Sequence, residues 1–368
     1  MADFWQGDIP TFQRLTSGQG GALAAALEPG QGARRVTLLL PCHARELGTE
    51  AFAGILSALR QTTWLHRIVI GLDQAGAAED AWLREKVSGL AEVLWLDGPA
   101  WQRRVRELAM ELPRVGKGRN VWLSLGYILE NLQPEVIALH DCDILPYDPG
   151  MLARLVYPVA RPEFAMEFSK GYYARFSGCL HGRMTRLLFQ PLVQALRERF
   201  PQEACWQFLH AFRYPLAGEV AMTAQVAEQL SFAAGWGLET AMLANVRPLL
   251  PKDRLCQVDL CERYDHRHQP LESGLREPAL EVAQTLLSLV REWPGDFDLV
   301  AAYQRHAEAA KAHGQQLAMF NRLEITGADD NAAVALFTAV VGHAVQTHRA
   351  PVPLLPSWQG LLSKKPVP

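Results

Sequence analysis

Along the first third of the chain, apolar residues fall in short unbroken runs separated by stretches with helical spacing. Arg35-Val-Thr-Leu-Leu-Leu40 is the first run and ends at Pro41. Its length and β-branched content predict a strand buried on both faces. A helical pattern covers about 49–60, and Arg67–Leu72 is a second buried strand, ended by Asp73. A helix over about 77–90 and a strand over Glu92–Leu96 follow. Gly116-Lys-Gly118 leads into a helix over Arg119–Asn131, with Val121, Leu125, Ile128 and Leu129 on one face. Val136–Leu139 is a fourth strand. This alternation predicts right-handed βαβ units on a mostly parallel, Rossmann-like sheet flanked by helices, an α/β fold.

The middle of the chain mixes both periods. A strand is expected over Phe164–Phe168 and another over Arg254–Leu260. Helices are expected over Arg183–Arg199, bent at Pro191, over Glu219–Leu230 and over Leu238–Asn245. From about 272 to 346 the pattern is almost wholly helical. The Pro-rich tail from Pro351 reads as an extended arm, and residues 1–33 as a loose or helical lead-in. The Ala- and Leu-rich faces at 328–346 call for a partner surface, which points to a homodimer.

Composition narrows the function. With 49% apolar and 20% charged residues the chain can bury a full core. A net charge of −3 and a pI near 6.4 argue against a nucleic-acid binder, while leaving room for a local basic pocket. The six cysteines form no CxxC pair and match no zinc module. No basic and apolar leader opens the sequence, and no run of about 18 apolar residues spans a membrane. The reading is a reduced, cytoplasmic protein with no membrane segment.

The sharpest chemical feature is Asp141-Cys-Asp143 at the exit of the fourth strand. In open α/β sheets ligands bind beyond the carboxyl ends of the strands, so the loops after Leu40, Leu72 and Leu139 gather on one edge. Two carboxylates there suit a hard cation, Mg²⁺ or Mn²⁺, bridging the diphosphate of a nucleotide-sugar donor. Pro41, Cys42, His43 and Asp73 lie at neighbouring strand exits and join the donor-binding candidates. Gly116-Lys117-Gly118 opens a helix whose start favours phosphate. In Tyr264-Asp-His-Arg-His268, either His266 or His268 offers a third metal ligand, and His beside two carboxylates suits Mn²⁺. Gly182-Arg-Met-Thr185 starts a helix and suits a phosphate or carboxylate. Glu219 and Glu239 stand at loop-to-helix junctions, where they either stabilise helix starts or contact sugar or acceptor hydroxyls. Trp236, between two glycines, is a cleft-lining candidate.

Taken in order, these elements resemble the retaining glucosyl-3-phosphoglycerate synthases and related GT-A transferases of glycosyltransferase family 81. The matching pieces are Leu40-Pro41, Gly116–Trp122, Asp141–Ile144, Lys170–Arg175, Gly182–Leu187, Pro191-Leu192, Pro215–Glu219, Gly235–Glu239 and His266–Leu271. The mannosylglycerate synthases look similar at fewer of them. The resemblance implies that Lys117 and Asp141 hold the nucleotide half of the donor and that Asp143 and His266 ligate the metal. Glu239 would lie near the reacting sugar, and Gly182, Arg183 and Thr185 would bind the phosphate of 3-phosphoglycerate. The loop Pro41–Arg45 would pass the base. No enzyme nucleophile is implied: in a front-face reaction the departing diphosphate takes the acceptor proton.

Four departures leave the substrates open. Cys42-His-Ala-Arg45 replaces an acidic, Asn-containing loop, so the donor is UDP- or GDP-glucose, or a mannosyl equivalent. His181, Tyr264 and His268 replace Gly, Arg and Asn. His268 lies on the acceptor side, so the acceptor is 3-phosphoglycerate or a relative such as glycerate. Two other classes compete. A catalytically inactive nucleotide-sugar-binding protein would have lost some of Lys117, Asp141, Arg183 and His266. A nucleotidyltransferase needs a Gly-rich loop after the first strand, which Pro41–Arg45 lacks. The expected organisation is a lead-in over 1–33, a donor-binding half over 34–160, an acceptor-binding half over 161–271 and a helical region with tail over 272–368.

Overall fold

In the computed structural model, which describes residues 6–16, 18–108, 110–112, 116–262, 264, 274–293, 298–347 and 352–362, the alternation of the first third builds the sheet. The strands are β1 (Thr11–Phe12), β2 (Val36–His43), β3 (Leu65–Asp73), β4 (Glu92–Trp95), β5 (Val136–Leu139), β6 (Phe168–Tyr172), β7 (Val220–Thr223), β8 (Phe232–Ala233), β9 (Leu255–Asp259) and β10 (Leu354–Leu355). Eight of them form one sheet in the order β1-β9-β6-β7-β5-β2-β3-β4. All pairings in it are parallel except those of β7, which runs antiparallel to both neighbours.

Six helices accompany the first half: α1 (Gln19–Ala25), α2 (Glu50–Leu59), α3 (Ala77–Lys86), α4 (Pro99–Glu107), α5 (Lys117–Asn131) and α6 (Pro149–Ala160). After a π-helical turn at Met184–Phe189 come α7 (Gln190–Arg199), α8 (Ala204–His210), α9 (Ala224–Gln229) and α10 (Leu238–Val246). The C-terminal part holds α11 (Arg276–Leu287), α12 (Leu299–Phe320), α13 (Gly327–Thr347) and α14 (Gln359–Leu362). No described helix is long and apolar enough to cross a membrane.

The continuous apolar run of β2 follows from its place between two cores. Leu38, Leu40 and Cys42 face the core under α2 and α6, whereas Leu39 faces the core that includes α5 and the C-terminal helices. Helix α2 starts where Thr49 accepts a hydrogen bond from the Phe52 N–H at 3.2 Å. Its buried Phe52, Ile55, Leu56 and Leu59 keep helical spacing.

Four expectations change. The strand expected over 164–168 is β6, Phe168–Tyr172, because Phe168 registers against Leu255 and Met222 and the sheet takes the next four residues. The helix expected from Glu219 begins instead as β7, since Val220, Ala221 and Met222 are buried between β5 and β6 and packing overrides helical propensity. Arg183–Arg199 splits into the π turn and α7, which lets Pro191 sit in the first turn of α7, where its missing N–H is harmless. The apolar face at 328–346 finds its partner inside the chain. Ala333, Val334, Phe337, Val340, Val341 and Ala344 are buried, and α13 packs on α11 and α12.

The tail also docks. Leu354 and Leu355 pair antiparallel with β8. Beyond them, the Trp358 ring stacks on Trp122 of α5 at 4.5 Å. The two indoles are cross-tied. Trp122 Nε1 donates to the Pro356 carbonyl at 2.7 Å, and Trp358 Nε1 to the Trp122 carbonyl at 2.9 Å. A Cβ at Gly126 would collide with the Trp358 ring, so α5 needs a glycine there.

Candidate active site

The exits of β2, β3 and β5 and the starts of α5 and α10 open onto one cleft of about 680 Å³. Pro41, Cys42, His43, Asp73, Lys117, Asp141, Asp143, Gly182, Arg183, Thr185 and Glu239 all line it. His266 and His268 lie outside the described residues. Among the described residues, no group of three or more His, Cys, Asp and Glu side chains is arranged to hold a metal ion.

One wall is built around Lys117, the first residue of α5. Its ammonium lies 2.7 Å from Asp141 Oδ1 and donates to Glu239 Oε1 at 2.8 Å. Burial opposes the lysine charge, yet the two carboxylates hold its pKa well above the usual value. A Cβ on Gly218 would strike the Asp141 carboxylate, so that glycine is what admits the pair. The glycines flanking Lys117 have a different use from the one the sequence suggests. A Cβ at Gly116 would come within 2.9 Å of the Ala234 carbonyl, and one at Gly118 would overlap the Ala233 carbonyl. The Arg119 N–H already donates to Ala234 at 2.8 Å. These glycines seat α5 against the 233–235 segment, and Lys117 itself faces the cleft.

Behind Asp141 sits a buried network around Glu219 whose partners the sequence did not show. Glu219 is fully buried and accepts from the hydroxyls of Tyr173 at 2.9 Å and Tyr264 at 2.8 Å. The two tyrosine rings stack at 3.6 Å, nearly parallel. Burial and the nearby Asp141 raise the Glu219 pKa, while the tyrosine hydroxyls and Lys117 pull the other way. Lys170, buried in β6, donates to the Ala217 carbonyl. Burial lowers its pKa to about 8 despite Glu239 and Glu219. The legible signal was a lysine inside a strand flanked by Phe168 and Tyr172. Glu219 is thus no helix-start carboxylate; it precedes a strand and anchors two tyrosines under the acidic pair.

At the far end of this wall, Asp73 is buried and stands near Asp97, and burial first and Asp97 second push its pKa up to about 6. His43 accepts from the Arg45 N–H at 3.0 Å, and its pKa is lowered by burial and by Arg45. Trp236 lines the cleft and is 39% exposed, enough for its ring to meet a ligand.

The opposite wall carries Gly182, Arg183 and Thr185. Gly182 has φ +72°, a left-handed conformation, with Tyr214 close by. The Thr185 hydroxyl is buried and has no hydrogen-bond partner among the described residues. A buried orphan hydroxyl on a cleft wall is costly unless a ligand satisfies it. Arg183 reaches across to α13, where its Nε donates to Asp330 at 3.1 Å and its Nη2 to Asp329 at 3.0 Å. The helix expected to start at Gly182 opens instead as the π turn Met184–Phe189.

No family model matches the chain. A glucosyl-3-phosphoglycerate synthase of Persephonella marina is 35% identical over 378 residues, covering 97% of this chain and 94% of that protein. One of Methanococcoides burtonii is 30% identical over 392 residues, covering 99% and 95%. Among solved structures, the Mycobacterium tuberculosis glucosyl-3-phosphoglycerate synthase with Mn²⁺, UDP and glucosyl-3-phosphoglycerate superposes with TM-score 0.58 at 25% identity, over 76% of this chain and 87% of that one. The same enzyme with Mn²⁺, UDP-glucose and phosphoglyceric acid gives 0.57 at 27% identity, over 76% and 86%.

Proposed function

This chain belongs to the glucosyl-3-phosphoglycerate synthase family, and from that premise we propose that its cleft transfers glucose from UDP-glucose to the 2-hydroxyl of 3-phosphoglycerate, with retention at the sugar carbon. The observation that carries this reading is the pairing of two unlike walls across one cleft. One holds two strand-exit carboxylates and a lysine, suited to a metal-bound diphosphate. The other holds Arg183 and the orphan Thr185 hydroxyl, suited to an anionic acceptor.

The donor set fits Mg²⁺ or Mn²⁺. Asp141 and Asp143 supply hard oxygens, and the diphosphate of the donor supplies more. Asp143 is the expected protein ligand to the ion, with His266 as the expected further ligand, while Asp141 is tied to Lys117. Such an ion, when bound, stabilises the charge on the departing diphosphate. Lys117 holds Asp141 and Glu239 in fixed places beside the reacting sugar. Glu239, held in place by that contact, favours positive charge developing on the sugar ring. Asp73, His43 and the Pro41-Cys42 end of β2 border the base and ribose. Arg183, Thr185 and Gly182 hold the acceptor phosphate so that its 2-hydroxyl meets the sugar from the leaving-group side, and the rate comes from positioning and preorganised charge. In this reading residues 34–160 bind the donor and 161–271 the acceptor, with His268 beside the latter.

The protein is assigned to the cytoplasm, consistent with six unpaired cysteines. A homodimer would use the tip between α12 and α13, where Leu317, Met319, Phe320 and Ile325 are exposed.

A product screen tests the function. Purified protein is incubated with Mg²⁺ or Mn²⁺, UDP- or GDP-glucose, and 3-phosphoglycerate or glycerate, and products are weighed by mass spectrometry. Glucosyl-3-phosphoglycerate from UDP-glucose is expected. Hexosyl-glycerate alone would overturn the acceptor assignment. Binding of nucleotide sugar without transfer to either acceptor would favour a non-catalytic binding protein.

A further inference from the structure

Arg183 does not stand alone in the acceptor wall. Its Nε donates to Asp330 Oδ1, and Arg186 clamps the same carboxylate with Nη1 on Oδ2 at 2.9 Å and Nη2 on Oδ1 at 3.0 Å. Asp330 is only 4% exposed, and the backbone N–H of this residue is held by the Thr326 carbonyl in the first turn of α13. Gly314 of α12 makes room for Arg186, since a Cβ there would come within 2.8 Å of its Nη1. Two guanidinium groups on one buried carboxylate carry one positive charge more than it neutralises, and Asp329 balances that charge. The neighbouring Asp329 is different. Its side chain is 64% exposed, it lines the cleft, and it takes only the outer nitrogen of Arg183, Nη2.

We propose that the α12–α13 hairpin completes the acceptor subsite with two adjacent carboxylates of opposite effect. Asp330 is a positioning residue that fixes the plane of Arg183 through Nε, and Asp329 stands in for the acceptor's phosphate on Nη2 and must leave when the acceptor binds. The inference rests on the acceptor reading given above. A guanidinium clamped through Nε keeps its outer fork aimed in one direction, the requirement for two parallel hydrogen bonds to a phosphate. An exposed ion pair is weak, so Asp329 yields easily to a dianion.

The test is steady-state kinetics on the full chain with varied 3-phosphoglycerate and varied UDP-glucose. Asp329→Asn removes the competitor, and the acceptor KM falls about threefold. Asp330→Asn keeps the shape but loosens Arg183, and the acceptor KM rises about tenfold or more. The donor KM follows neither change. The opposite signs are decisive, because a general loss of negative charge near an anionic substrate would lower the acceptor KM in both variants. Equal direction in both, or a donor KM that moves as much as the acceptor KM, overturns the proposal. If Asp330→Asn does not fold, a rise or no change in the acceptor KM of the exposed variant Asp329→Asn is enough to reject it. Failure of the underlying reading looks different: wild-type protein would use an unphosphorylated acceptor and ignore Arg183→Ala.

Discussion

The two walls of the cleft, proposed to bind the donor and the acceptor, are built by different means. On the donor wall, Lys117, Asp141 and Asp143 stand at the starts and ends of regular elements, so sheet topology alone delivers them to one edge. On the acceptor wall, Arg183 is fixed by residues 146 and 147 positions later in the chain. Lys117, Asp141 and Asp143 thus follow from where elements start and end, whereas Arg183 is set by packing against the C-terminal helices. Damage to the C-terminal helices should disturb acceptor binding while sparing donor binding.

The strongest break in that comparison is Asp143→Ala. Metal-dependent turnover should fall by about a thousandfold with the melting temperature little changed, as seen in initial rates over a metal titration. Near-normal rates would remove Asp143 from the metal site. Next is Lys117→Ala, which leaves the Asp141 and Glu239 carboxylates facing each other without their shared cation. The donor KM should rise about thirtyfold, while acceptor KM changes far less. A shift confined to the acceptor would mean the lysine serves the other wall. Arg183→Ala should raise the acceptor KM about tenfold, with donor KM held. An equal loss on the donor side would show that the walls are not separable.

The smallest effect concerns Asp73. Its folded pKa, about 6, lies above that of an unfolded aspartate, so the folded state binds the proton more tightly. Stability is thus lost as pH rises from about 4 to 6, and the loss is complete above 6. Asp73→Asn should raise the melting temperature by a few degrees at pH 7.5, and the gain should shrink toward pH 4. A gain that is the same at both pH values would rule out the titration as its cause.

The same contrast explains what was legible in the sequence. The strands β2 to β5 each carry a short apolar run and were readable because buried strand interiors in such a sheet have that pattern. The Asp141/Asp143 pair was readable because a carboxylate pair after such a run has few structural reasons to be there. β7 was not, because Glu219–Leu230 has good helical spacing, and only the gap between β5 and β6 makes its first part a strand. The glycines around Lys117 suggested phosphate approach, whereas their hydrogens face Ala233 and Ala234, a contact no local pattern encodes. The partner of Arg183 was invisible for the same reason. Asp329 and Asp330 look like ordinary helix-start acids. Glu219 was noticed but misplaced, since its tyrosine partners come from distant segments.

The docking of Trp358 on α5 has a consequence for the order of events during synthesis. The indole that covers Gly126 and bonds the Trp122 carbonyl lies 236 residues after that helix position. A ribosome adding about 5–20 residues per second needs on the order of ten seconds or more to make that stretch. Throughout that interval the helix that begins with Lys117 has emerged with one flank of Trp122 bare. A product cut short just before Trp358 would keep Lys117, Asp141 and Asp143 but leave that seam on α5 open for proteases to find.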